Sequence, residues 1–375
     1  LFDELSLFVP LVLSFSGDNN TLYTSELTLT NRAARNVTLN FTYTAIVGGG
    51  SGTASDRLAA GRQRIVPDGI AYLRSLGIPI PASGNRAGSL VVRFSGLSSE
   101  GAVLVRTTTS VPEGRAGFSY AGISTSTTLS GPSYVCGLRQ NATDRTNLAI
   151  HNTGTASEGV ITLRLTLFSG EPAAPSSYTL PDQILFPGGF YQINNVLQSN
   201  GLSLNSGYIR VDRVDGTAPY YAYALIHDQV SADGVFVPPI AESSLRGSKA
   251  LTLPVVVENS IFSSELVLTN WSTSKKSVHF DFLDQESQSH GSSSSFVIEL
   301  KAREQMILPS LGRWPGPHRT SELAFAYRSY LGWLFPTVKD DDVDGIFLGV
   351  RISKRGQLGR YGLFYASVPE GIAST

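Results

Sequence analysis

SELTLTN at residues 25–31, TNLAIHN at 146–152 and SELVLTN at 264–270 are one landmark written three times. After each comes a polar turn and then a strand that alternates. In NVTLNFTYTA, Val37, Leu39, Phe41 and Tyr43 fall on one face and Thr38, Asn40, Thr42 and Thr44 on the other. GVITLRLTLF repeats this with Ile161, Leu163, Leu165 and Leu167, and SVHFDFL with Val278, Phe280 and Phe282. Successive side chains of an extended chain point to opposite sides, so a period of two marks a strand with one face buried and one face open.

Each landmark follows an apolar strand near a proline: Pro10 in FVPLVLS, Pro132 in GPSYVCGL and Pro254 in TLPVVVE, at equal spacing. Proline donates nothing to a strand ladder, which suits it to strand starts and edges. Downstream lie turn-bounded pieces (RLAAGRQRIVP, QILFPGGFYQI, IELKAREQMILP), then helix-like DGIAYLRSLG and NNVLQSNGLS in the first two copies, then further strands and a closing one. About seven short strands per copy, spaced by turn signals, predict an all-β protein of three tandem antiparallel β-sandwich (Ig-like) domains. The expected domains are residues 1–117, 118–243 and 244–375, joined by short linkers into a semi-rigid rod.

Composition agrees. The chain has 375 residues, enough for two or three cores, and Gly, Ser and Thr are abundant. A formal net charge of −1 offers no field for nucleic acid. The apolar opening, LFDELSLFVPLVLSF, is interrupted by Asp3, Glu4 and Pro10 and is too short to insert in a membrane. The single cysteine, Cys136, excludes an internal disulfide and is expected to be a buried, inert thiol.

The combination of SELxLTN landmarks, CGLRQNATDRTN at residues 136–147, the FPGG turn at 186–189 and the closing VP strands resembles the repeated sandwich modules of large secreted proteins from soil bacteria such as Acidobacteria. The resemblance covers nearly the whole chain. It implies export, and so an extracellular or cell-surface location, and β architecture. It carries over no catalytic residue.

The residues themselves present no GxSxG elbow, HExxH pair, Walker loop or CxxC. STSK at residues 272–275 reads as a polar turn. His151 and His279 are expected on outward strand faces. Asp340, Asp342, Asp344 and Gly345 fit D-x-D-x-D-G, which would gather three carboxylates around a calcium ion. The twelfth position of such a loop is Arg351, so the full helical calcium site fails and a charged turn is the simpler reading. Tyr221 and Tyr223 share a strand face, where exposed rings could stack on sugars and buried ones would pack between sheets. Trp271, Trp314 and Trp333 give a weaker hint of the same kind.

The expectation is a non-catalytic extracellular structural or adhesion scaffold that needs no cofactor, with calcium the one candidate ligand. Its partners would be a cell-surface or matrix component or further copies of itself. The alternatives are a glycan-binding protein using exposed aromatics and a subunit of an extracellular filament. In the filament, residues 1–7 would reach the last domain of the next molecule.

Overall fold

A computed structural model describes residues 4–17, 21–112, 114–170, 176–284, 293–310, 330–338, 343–357 and 359–370. They form an all-β protein of antiparallel sheets, with α1 (Gly69–Ser75) as the α-helix among them. Asp68 caps that helix by accepting from the Ala71 amide at 2.9 Å. The second helix-like piece forms only a 3₁₀ turn at Ser199–Gly201.

The first stretch contains β1 (Leu5–Ser16), β2 (Leu22–Asn31), β3 (Val37–Val47), β4 (Gly52–Leu58), β5 (Gln63–Val66), β6 (Arg86–Phe94), β7 (Gly101–Val111), β8 (Gly114–Ala121) and β9 (Ile123–Ser124). These make one nine-stranded sheet in the order β4-β3-β6-β1-β2-β7-β8, with β5 beside β2 and β9 beside β1. Here the expected division into two facing sheets is replaced by continuity, because β1 runs far enough to pair its end, Ser14–Ser16, with β2. The sheet also continues to Ser124, past the boundary expected after residue 117.

The second stretch contains β10 (Ser133–Arg139), β11 (Asp144–Asn152), β12 (Ile161–Ser169), β13 (Ser177–Thr179), β14 (Gln183–Leu185), β15 (Phe190–Ile193), β16 (Ser206–Asp215), β17 (Tyr220–Asp228), β18 (Gly234–Val237) and β19 (Ile240–Ala241). It forms two sheets, β13-β12-β16-β10-β19 with β14 beside β12, and β15-β11-β17-β18. The third contains β20 (Leu251–Glu258), β21 (Phe262–Asn270), β22 (Lys276–Asp284), β23 (Ser293–Leu300), β24 (Gln305–Leu308), β25 (Tyr330–Val338), β26 (Ile346–Gly356), β27 (Gly359–Ala366) and β28 (Val368–Pro369). Its sheets are β23-β22-β25-β20-β28 and β24-β21-β26-β27. Strand for strand the orders repeat, and the first stretch follows them apart from its β1–β2 join. Each closing strand returns to the first strand of its own stretch: β9 to β1, β19 to β10 and β28 to β20.

The alternating strands bury the predicted faces of β3, β12 and β22. The landmarks have a specific task. Asn31, Asn152 and Asn270 are all buried. The Asn31 amide donates to the carbonyls of Arg35, Leu58 and Ala59, that of Asn152 to Gly159 and Leu185, and that of Asn270 to Ser274, Leu300 and Lys301. Each Asn Oδ1 accepts from the amide two residues on. The hydroxyls that open the landmarks link strand to strand. Ser25 accepts from the Leu13 amide, Thr146 from Arg139 and Ser264 from Val257.

The proline spacing does not survive as a structural register. The ladder slips between Val9 and Val12, Val135 and Leu138, and Leu253 and Val256. Pro10 and Pro254 lie inside those irregularities, where a missing donor costs no ladder bond. The second copy has Cys136 and Gly137 in that place, and Pro132 precedes its strand. These strands are interior to their sheets, so the prolines guard no edge.

Candidate functional site

The faces expected to meet solvent meet each other. Against the first stretch, the second presents the outer side of β11, β15, β17 and β18. Phe8 of β1 lies edge-on to His151 at 5.4 Å and to Tyr221 at 6.1 Å. Tyr223 stacks on His151 at 5.9 Å and on Phe236 at 5.0 Å, and Tyr120 of β8 stacks on Phe236 at 4.7 Å. One core cluster spans both stretches. Tyr221 and Tyr223 are therefore 6% and 1% exposed. A ring with no open face cannot stack on a sugar, so these two are packing residues. His151 lies on the outward face of its strand as expected, but the first stretch covers that face and buries it. Burial pushes its pKa down to about 3, which keeps the imidazole neutral.

Between the second and third stretches the relation repeats with other chemistry. The outer side of β10, β12 and β16 packs on the outer side of β21, β24 and β26 in a second shared cluster. Tyr134 stacks flat on Trp271 at 4.2 Å, which accounts for that tryptophan. The Gly137 amide, freed by the irregularity in β10, donates to Gln305 Oε1 at 2.8 Å, and Thr269 Oγ1 donates to the same oxygen at 3.2 Å. Arg139 pairs with Glu265. Arg351 Nη1 lies 2.7 Å from Asp144 Oδ1, with side-chain exposures of 1% and 3%. Burial pushes the Asp144 carboxyl up, but the Arg351 guanidinium outweighs it and holds the pKa below its ordinary value. Cys136 sits in this seam. Burial pushes its thiol pKa up and keeps it inert.

The turn between β17 and β18 joins all three stretches. Asp233 accepts from the Gly117 amide of β8 and the Gly362 amide of β27, each at 2.8 Å. Tyr23 donates to the Ala232 carbonyl at 2.8 Å. Asp228 accepts from the Arg360 amide, and the Ser231 hydroxyl donates to the Arg360 carbonyl. Burial raises the Asp233 pKa to about 6 against the pull of its two amide donors. Beside it a cleft of about 160 Å³ is lined by Phe118, Phe236 and Phe364, one from each stretch.

The acidic loop is only partly in view. Asp340 and Asp342 lie outside the described residues, as do Trp314 and the side chain of Trp333. Asp344 stands in the turn before β26, and Gly345 beside it takes a left-handed φ of +81. Arg351 is committed to Asp144. Among the described residues, no three His, Cys, Asp or Glu side chains are placed to share a metal ion, and no helix is long and apolar enough to cross a membrane. STSK forms a turn in which Ser272 donates to Asn270.

Gly137, Arg139 and Asp144 lie within the CGLRQNATDRTN motif, but their docking role, like that of Gln305 and Asp233, was not legible in the sequence. A signal was present in outward positions too apolar for a wet face: Ala149, Tyr221, Tyr223 and Leu225 along β11 and β17. No protein-family model matches the chain, and no curated protein matches it.

Proposed function

We propose that this chain is a non-catalytic scaffold of three β-sandwich modules, exported to the cell surface or beyond, where it spaces and presents contacts to a surface or matrix partner. The observation that carries the reading is where the buried polar side chains go. The landmark asparagines tie turns to strands, and Asp144, Arg139, Arg351, Gln305 and Asp233 tie one stretch to another. The repeated strand orders support the three-module description, with module limits set by the closing strands. The resemblance to secreted soil-bacterial modules supports export.

Adhesion is tested with beads carrying the purified chain, passed over intact cells and over extracted matrix. Retention above that of beads carrying an unrelated β protein is expected. Equal retention on every surface would sink the reading. Calcium at Asp340, Asp342 and Asp344 belongs to the same proposal. Calcium should raise the melting temperature and Asp342→Ala should abolish the rise; an unchanged melting temperature leaves a charged turn.

A further inference from the structure

The seam between the second and third stretches is made of two unlike faces, and among the described residues a copy of each is left uncovered elsewhere. The third stretch docks through β21, β24 and β26, and the first stretch carries the same register on β2, β5 and β7. Thr30 stands opposite Gln63 as Thr269 stands opposite Gln305. In both pairs the threonine hydroxyl donates to the glutamine oxygen, at 3.4 Å and 3.2 Å. Glu26 faces Arg106 across its ladder as Glu265 faces Arg351. Thr28 and Ile65 hold the places of Val267 and Ile307. In the third stretch this set is covered by the second. In the first stretch Ile65 is 57% exposed and Leu104 45% exposed.

The complementary face is the outer side of β10. Its counterpart in the third stretch is β20, with the same ladder irregularity and Val255 in the place of Gly137. Beside it on β25, Leu331 is 45% exposed. The two open faces are the unmatched halves of a contact the chain already makes inside itself.

We propose that these faces bind each other between molecules: the β2–β5–β7 face of one copy seats on the β20–β25 face of the next. The occupant is a second copy of this chain, argued from continuity with the internal seam. The faces differ, so the contact is heterologous and propagates head to tail. Val257 holds the position of Arg139, so Glu26 gains no ion pair there. Apolar contact carries the association, which is weaker than the internal seam. This inference rests on the scaffold reading and replaces residues 1–7 as the contact, since Leu5–Leu7 already pair within their own sheet.

The test is light scattering over a concentration series from micromolar to millimolar. The intact chain should rise in mass with concentration. Ile65→Lys and Leu331→Glu, each alone, should stay monomeric, because each blocks one face. Mixed together they should form dimers and nothing larger, since each supplies the face the other lacks. Leu104→Lys serves as a second variant of the first face, and unchanged melting temperatures establish that each variant folds. A monomeric intact chain at every concentration overturns the proposal. So does a single-face variant that associates as the intact chain does, or a mixture that stays monomeric. The bead assay is read separately, so loss of self-association leaves adhesion standing or falling on its own result.

Discussion

At the residue scale, the acid response is set by groups buried between stretches. His151 has a folded pKa near 3 against an ordinary 6.5, so the unfolded chain takes up its proton first as pH falls. Stability is then lost between about pH 6.5 and 3, by up to about 1.4 kcal/mol per pH unit. His227, pushed down to about 4 by burial and by Arg145, acts in the same direction. Asp233 has the opposite sign. Its folded pKa near 6 lies above the ordinary 3.8, so the folded chain binds that proton first, and stability is gained as pH falls from about 6 to about 4. Melting temperatures across pH 3–8 should separate the two: His151→Phe lessens the acid loss, and Asp233→Asn removes the gain between pH 6 and 4. The landmark asparagines give another expected outcome. Asn270→Ala leaves buried carbonyls without a donor and should cost about 3 kcal/mol or more in urea unfolding.

At the element scale, the seam between the second and third stretches depends on a buried ion pair and a left-handed glycine. Arg351→Met strands the Asp144 charge and should cost about 3–5 kcal/mol, while Asp144→Leu with Arg351→Met recovers most of that loss. Urea unfolding of the two single variants and the double variant measures the coupling. Gly137 has φ +81, and an added Cβ would meet Val267 Cγ1 at 3.3 Å. Gly137→Ala should cost about 1–2 kcal/mol from backbone strain, read from the same curves. What the sequence made legible follows the physics of one strand. Alternation identified the inward faces of β3, β12 and β22, because inward and outward differ in polarity. It could not say what covers an outward face, so His151, Tyr221 and Tyr223 were open to a solvent-facing reading. Equal proline spacing misled for a similar reason: a proline tolerated inside a ladder irregularity and one tolerated before a strand look alike in sequence.

At the scale of the whole molecule, the three stretches are not beads on a flexible string. Shared clusters join the first to the second and the second to the third, and Asp233 touches both neighbours. Calorimetry of the full chain should therefore show one cooperative transition rather than three separated ones. The isolated middle portion, residues 125–245, exposes both of its apolar outer faces and should bind a hydrophobic dye strongly where the full chain does not. The closing strands β9, β19 and β28 bring the exit of each stretch beside its entrance. Such a unit can be copied in frame without displacing what precedes or follows it. Unequal crossing-over within the gene would then lengthen the array by whole units, each arriving with a face its predecessor can seat.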